Sequence, residues 1–299
     1  MTHEHDELTR RLTPCAPFLP PRRLEHGRLP AGSCDTHLHI FEPVERYPLS
    51  PGRGYTPATA TLADYRALMD AVGIERAVLV QPSVYGTDNR ALLDALALDG
   101  GRTLRGIVVV PPQIADFELD AMDAFGVRGI RINTANPNGL PLSALDAFDR
   151  RLHARGWHIQ LQIDIQNVAN IEAVLGRISV PVVIDHFGLV DVRDGVDGAG
   201  FTRLLRLVEG GRCYVKLSSP YRLSATGIAP YADMTPYARA LADANPQRVL
   251  WGTDWPHPDL LRPMPDDAEL VRLLTEWLPD PASRQRALVD NPSALFWQR

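Results

Sequence analysis

The chain has 299 residues, 45% of them apolar and 22% charged, and a formal net charge of −5. That describes an ordinary globular protein long enough for a sizeable core, and the acidic balance excludes a general affinity for nucleic acid or anionic membrane. No apolar segment approaches the roughly 20 residues of a membrane span. Lys216 is the only lysine, so any other positive pocket must be built from arginine.

The stretch to Pro30 begins acidic (HEHDE) and is broken by prolines at 14, 17, 20, 21 and 30. It lacks the basic and apolar regions of a signal peptide. Residues 1–30 read as an N-terminal arm that wraps the rest or stays partly disordered, and 31–299 as one catalytic domain. Cys15, Cys34 and Cys213 lie far apart with no CxxC spacing, which predicts free thiols in a reducing compartment and a cytoplasmic protein.

From there, strand-like and helix-like segments alternate. Strand character appears at 33–41, 76–83, 104–111, 127–133, 158–164, 181–188, 213–219 and 249–255. Amphipathic stretches lie between them, such as 61–73 and 142–156. The clearest follows the last strand, where Leu270, Leu273, Leu274, Trp277 and Leu278 share one helical face. Gly73, Gly126 and Gly156 stand where helices should stop. The tail 283–296 reads as a final helix closing against the wall of the domain.

Eight strand–helix units predict an α/β fold, a (β/α)8 TIM barrel with a parallel sheet. Polar residues collect at the C-terminal ends of strands 1, 2, 4, 6 and 8, where barrel enzymes place their chemistry; an open sheet would gather them at one switch point. No GxGxxG, Walker A or GxSxG motif is present, so dinucleotide, P-loop and α/β-hydrolase readings lack support. The loops 42–60 and 219–230 are long and rich in Pro, Gly, Ser and aromatic residues, and both should overhang the site.

Asp35, His37 and His39 lie in CDTHLHIF, His186 in VVIDHFG and Asp254 in VLWGTDWPHP. Side chains alternate along a strand, so His37 and His39 project to the same side. In one barrel these histidines and Asp254 converge on a metal- or proton-handling site. Four titratable groups on three strands are costly to bury without a purpose. His257 follows Asp254 and could touch substrate or serve structure. His3, His5, His26 and His153 read as ordinary tail or surface residues. Lys216, on strand 7, reads as an internal partner for Asp35 at the barrel floor.

The HxH of strand 1, the DH after strand 6 and the GTDWPHP of strand 8, with QPSVYGTDN (81–89), VRGIRIN and YVKLSSPYR (214–222), resemble the amidohydrolase superfamily of the amidohydrolase-2 type. Within it they are similar to the branch that holds 2-pyrone-4,6-dicarboxylate hydrolase, 4-sulfomuconolactone hydrolase and galactarolactone isomerase. The resemblance covers nearly everything after residue 30. It implies that Asp254 is the general base for water, and that His37, His39 and His186 polarise a carbonyl or ligate a metal. It further implies that Tyr55, Ser83, Arg131 and Arg222 contact a substrate carboxylate or lactone ring, with Arg131 on the rim after strand 4 and Arg222 on the loop after strand 7.

Elementary chemistry agrees, since lactone hydrolysis needs a base for water and a donor or cation for the oxyanion. Two departures from the family pattern stand out. The stretch NTANPNG after strand 4 lacks the second arginine with which the pyrone dicarboxylate enzyme serves a second carboxylate. Strand 4 also lacks the lysine that bridges two metals in binuclear members of the superfamily.

The leading reading is a hydrolase opening the ester of a small anionic lactone: a sugar-acid lactone, a muconolactone or a pyrone carboxylate. A lactone isomerase acting by intramolecular acyl transfer and a metal-dependent non-oxidative decarboxylase are the alternatives. No cofactor is expected to be required. The alternative is one zinc ion on His37, His39, His186 and Asp254. The expected partner is the small lactone alone, with no nucleic acid or membrane; association of like chains stays open.

Overall fold

Eight parallel strands follow one another around the sheet in chain order: β1 (Cys34–Leu38), β2 (Arg76–Val80), β3 (Leu104–Val108), β4 (Val127–Asn133), β5 (His158–Gln162), β6 (Val182–Ile184), β7 (Tyr214–Leu217) and β8 (Val249–Trp251). This computed structural model describes residues 12–25, 28–136 and 138–298. Each strand pairs with its successor. The ring closes just past β8, where Leu38 bridges Trp255, the His39 amide donates to Trp255 O at 2.8 Å and the Asp254 amide donates to His37 O at 2.8 Å. The fold is a (β/α)8 barrel.

Most strands are shorter than their apolar runs, and the missing residues come mainly from the C-terminal ends. Non-glycine residues with positive φ explain two of these stops: His186 (φ 50°) and Phe187 (φ 51°) after β6, and Asp254 (φ 62°) after β8. A left-handed residue cannot continue a ladder, and past these stops His186 and Asp254 line the cavity at the barrel mouth while Phe187 packs on Trp277.

Helices fill the connections. Leu62–Val72 starts at a capping box between Thr61 and Asp64 and ends at Gly73, whose φ of 83° suits the left-handed cap. The apolar core between sheet and helices takes in the buried faces of the helices between the strands and that of Asp267–Trp277, with Leu270, Leu273, Leu274 and Trp277. A second apolar cluster of Cys34, Val78, Val80, Ile107, Val183 and Leu250 fills the lower barrel, and Leu295 and Phe296 of the tail join it. The tail therefore plugs the barrel floor rather than lying along its wall. It is also not one regular helix: Pro281–Gln285 is α-helical, while Arg286–Asp290 and Ser293–Trp297 are π-turns.

Part of the arm lies along the upper barrel. The Cys15 amide donates to Thr56 O at 2.8 Å, Phe18 packs on Trp255 with ring centroids 4.8 Å apart, and Arg22 pairs with Asp266. The expectations for residues 1–11, and those for His3, His5 and His26, lie outside the described residues. Among the described residues no helix is long and apolar enough to cross a membrane.

Candidate active site

β1 carries a register shift between Asp35 and Leu38. Such a bulge changes the face of the strand part-way along. Cys34 thus joins the apolar floor while His37 and His39 both face the upper cavity. Asp35 accepts from Tyr65 Oη (2.9 Å), the Thr253 amide (3.0 Å), the Thr253 hydroxyl and the His37 amide. It fastens β1 to the turn after β8. Gly252 makes that seam feasible, because a Cβ there would stand 2.7 Å from His37 Cβ and 2.8 Å from His37 N.

Three imidazoles converge on one oxygen. Asp254 Oδ1 lies 3.7 Å from His37 Nε2, 3.5 Å from His39 Nε2 and 3.9 Å from His186 Nε2. The other oxygen, Oδ2, accepts from Ser219 Oγ at 2.6 Å, Tyr221 Oη at 2.8 Å and Arg222 Nε at 3.1 Å. Burial opposes a charged Asp254, but His186 and Arg222 outweigh it and hold the carboxyl well below its usual range. The carboxylate is ionised, with Oδ1 as its reactive end.

The far nitrogens of the imidazoles are also committed. His39 Nδ1 lies 2.7 Å from Val80 O, and a carbonyl only accepts, so Nδ1 carries hydrogen. His37 Nδ1 lies 3.2 Å from Asp185 Oδ1 and 3.2 Å from Lys216 Nζ. His186 Nδ1 meets the hydroxyls of Ser218 (2.8 Å) and Ser219 (3.0 Å). Burial lowers all three imidazoles, His186 to about 4 and His37 well below 6.5, so the neutral form prevails. A neutral His39 then turns a lone pair toward Asp254, and His37 Nε2 is buried without a hydrogen-bond partner.

An electron-rich cage of this kind suits a cation. Ligands about 2.0–2.1 Å from a tetrahedral zinc stand roughly 3.3 Å apart, close to the spacing here. The described residues offer two overlapping ligand groups, His37–His39–Asp254 and His37–Asp185–His186. A carboxylate behind a ligand histidine, as Asp185 stands behind His37, is the usual support for such a ligand.

Lys216 does not pair with Asp35. Its ammonium donates to Thr36 O and Gln160 Oε1, both at 2.8 Å, and lies 3.4 Å from Asp185 Oδ1. Burial lowers Lys216 to about 8, against the pull of Asp185. Asp185 also accepts from Gln160 Nε2 at 3.0 Å and lies 3.5 Å from Arg131 Nη2. Burial would raise its carboxyl, yet Lys216, His37 and Arg131 hold it well below the normal range.

A cavity of about 200 Å3 opens above this network, lined by His39, Tyr55, Ser83, Arg131, Asn136, Gln162, His186, Arg222, Asp254 and Asp259 among others. Tyr55 comes from the loop 42–60 and Arg222 from the loop 219–230, so both long loops reach the site. Arg131 lies within β4 rather than on the rim, 3% exposed, bonded to Gln81 O and Gln162 Oε1. Arg222 Nη2 donates to Pro258 O. His257 does not line the cavity. It stands behind Tyr221, with Nδ1 3.0 Å from Tyr221 Oη and Nε2 3.3 Å from Asp267 Oδ1.

Sequence reasoning missed Asp185, Gln160, Gln162, Ser218, Ser219 and Tyr221. The glutamines had a readable signal: in HIQLQ two polar residues at period two occupy one face of an apolar strand.

A closed barrel with three histidines and an ionised aspartate meeting beneath an arginine-lined cavity has the layout of a barrel enzyme with residues that could hold a metal. Residues 34–297 match the amidohydrolase family, to which this chain belongs. It is 38% identical over 280 residues to 2-pyrone-4,6-dicarboxylate hydrolase of Comamonas testosteroni, covering 90% of this chain and 92% of that protein. It is 39% identical over 277 residues to 4-sulfomuconolactone hydrolase of Hydrogenophaga intermedia, covering 90% of each. It is also 34% identical over 294 residues to D-galactarolactone isomerase of Agrobacterium fabrum, covering 97% of each.

Proposed function

We propose that this protein hydrolyses the ring ester of a small lactone bearing one anionic group. The observation that carries this reading is the split of Asp254: Oδ2 is held by three donors, while Oδ1 faces three histidine nitrogens beside an arginine-lined cavity. Relatives named as hydrolases of a pyrone dicarboxylate and a sulfomuconolactone support the substrate class.

In this reading Arg131 and Arg222 hold the anionic group, and Tyr55 and Ser83 bound the ring. The lactone carbonyl lies toward the histidine nitrogens. Asp254 Oδ1 takes one proton from water as the oxygen attacks the carbonyl carbon. The ring C–O bond then breaks, and Asp254 returns that proton to the departing alkoxide, leaving a carboxylic acid and an alcohol. His37, His39, His186 and Asp254 would hold a divalent ion, and such an ion would supply polarisation of the carbonyl and of water.

A second reading is favoured by the isomerase relative, which aligns over 97% of both chains. A hydroxyl of the substrate would replace water as the attacking group, and Asp254 would serve it in the same way. Incubation with sugar-acid lactones, muconolactones and pyrone carboxylates, with products identified by NMR, tests both. Ring-opened acid supports hydrolysis and a shifted lactone supports isomerisation. No turnover of any lactone, with carbon dioxide released from an aromatic acid instead, would sink both.

A further inference from the structure

Behind Asp254, away from the cavity, three buried residues form a polar chain that the proposed reaction leaves unused. Tyr221 Oη donates to Asp254 Oδ2 at 2.8 Å. An ionised carboxylate only accepts, so the single hydroxyl proton of Tyr221 is spent there. Toward His257 the Tyr221 oxygen must then accept, and at 3.0 Å it takes the hydrogen of Nδ1. Nε2 of the same ring lies 3.3 Å from Asp267 Oδ1, but neither atom makes a hydrogen bond. Asp267 is the first residue of the helix Asp267–Trp277, where a negative charge is favoured. Tyr221, His257 and Asp267 are at most 5% exposed, and the rings of Tyr221 and His257 meet edge to face at 5.1 Å.

We propose that His257 is a positioning residue that acts through Tyr221 on the general base. A phenol hydroxyl can lie on either side of its ring plane axis, and a carboxylate torsion is broad. With Nδ1–H fixed on one side of the Tyr221 oxygen, the hydroxyl hydrogen is driven to the other, onto Oδ2. Asp254 then cannot exchange its two oxygens, and Oδ1 alone meets the reacting water. This rests on Asp254 being the base. It departs from a role for His257 in touching substrate, and a backbone bond from the His257 amide to Asp254 O (2.8 Å) stays in place when the side chain is changed.

The test uses the full chain and the best lactone from the substrate panel. His257→Leu removes both contacts, whereas His257→Asn keeps a donor near the Nδ1 position. His257→Leu should lower kcat about 10-fold, the scale of one hydrogen bond, with KM within about twofold. His257→Asn should recover most of that loss. In a Tyr221→Phe background His257→Leu should cost nothing further, because the hydroxyl it orients is gone. A purely structural role would not be rescued by Asn and would cost the same in both backgrounds. A raised KM with unchanged kcat, or fully additive losses, would overturn the proposal. If His257→Leu does not fold, His257→Phe in the same two backgrounds gives the comparison, and additivity there is equally fatal. Asp254→Asn is measured alongside: near-normal turnover sinks the base itself, whereas an essential base with additive His257 and Tyr221 losses sinks only the positioning chain.

Discussion

Lys216 and Asp185 face each other across the barrel interior, Nζ to Oδ1 at 3.4 Å, with neither exposed to solvent. Removing one partner of such a pair strands a buried charge, which is far worse than removing both. The pair also carries His37, whose Nδ1 lies 3.2 Å from each of them. The network beneath the cavity therefore fixes the orientation of an imidazole that the proposed reaction uses.

Replacing Asp254 with Asn keeps shape and removes basicity. Turnover should fall by roughly 10²–10⁴-fold while substrate binding weakens much less. Steady-state kinetics with the preferred lactone decides this, and near-normal kcat would show that another group activates water.

The cavity predicts its own selectivity. Arg222 already spends Nε on Asp254 and Nη2 on Pro258 O, and besides the arginines the cavity lining holds Asn136, Gln162 and the acidic Asp259. Lactones with one anionic group and free hydroxyls should be turned over more efficiently than 2-pyrone-4,6-dicarboxylate. Truncating Arg131 or Arg222 should remove a charge-assisted contact worth about 1.5–3 kcal/mol, or roughly 10- to 150-fold in kcat/KM. A kcat/KM higher for the dicarboxylate than for every monoanion tested would contradict the assignment.

The lone pairs gathered by His37, His39 and Asp254 predict one divalent ion per chain after expression with zinc supplied. Chelation should lower Tm, and His39→Ala should abolish that difference. Elemental analysis and thermal melts read the binding, and turnover of the stripped protein reads the chemistry. Full activity without metal would leave carbonyl polarisation to the histidines alone, as expected from the sequence.

Acid should destabilise the metal-free fold. Unfolded imidazoles take up protons below about 6.5, whereas burial holds folded His186 neutral to about 4 and lowers His37 and His39 too. The unfolded state then binds more protons in that window, so stability present above pH 6.5 is lost as pH falls, at up to about 1.4 kcal/mol per pH unit for each histidine. Burial raises Asp35 to about 6 against an ordinary 3.8, and its uptake in the folded state offsets one of the three below that point. Urea unfolding at pH 7 and pH 5 should give the smaller free energy at pH 5; equal or greater stability at pH 5 would contradict this.

Much of the barrel was legible because its signals are local. Alternating apolar runs and glycine stops depend on neighbours in the chain, and so does the shared face of His37 and His39. Strand ends were overread because hydropathy does not register the left-handed turns at His186 and Asp254. The partners of Lys216 were misread for a different reason. Asp35 and Asp185 are both buried acids on strand-like segments, and only the bulge in β1 sends Asp35 outward to Tyr65 and Thr253, leaving Asp185 for the lysine. His257 shows the same limit, since nothing in GTDWPHP tells whether the ring turns to the cavity or to Tyr221.

The plug of Leu295 and Phe296 under the inner cluster has a kinetic consequence. With the floor filled, a substrate of the proposed reaction enters the cavity from the barrel mouth, and the product leaves the same way. In the proposed reaction the new carboxylic acid forms beside ionised Asp254, and loss of its proton to solvent turns a monoanion into a dianion. Like charges at that distance repel, so hydrolysis itself supplies the push that clears the mouth. Product should therefore compete with substrate for the same vestibule, yet hold it weakly.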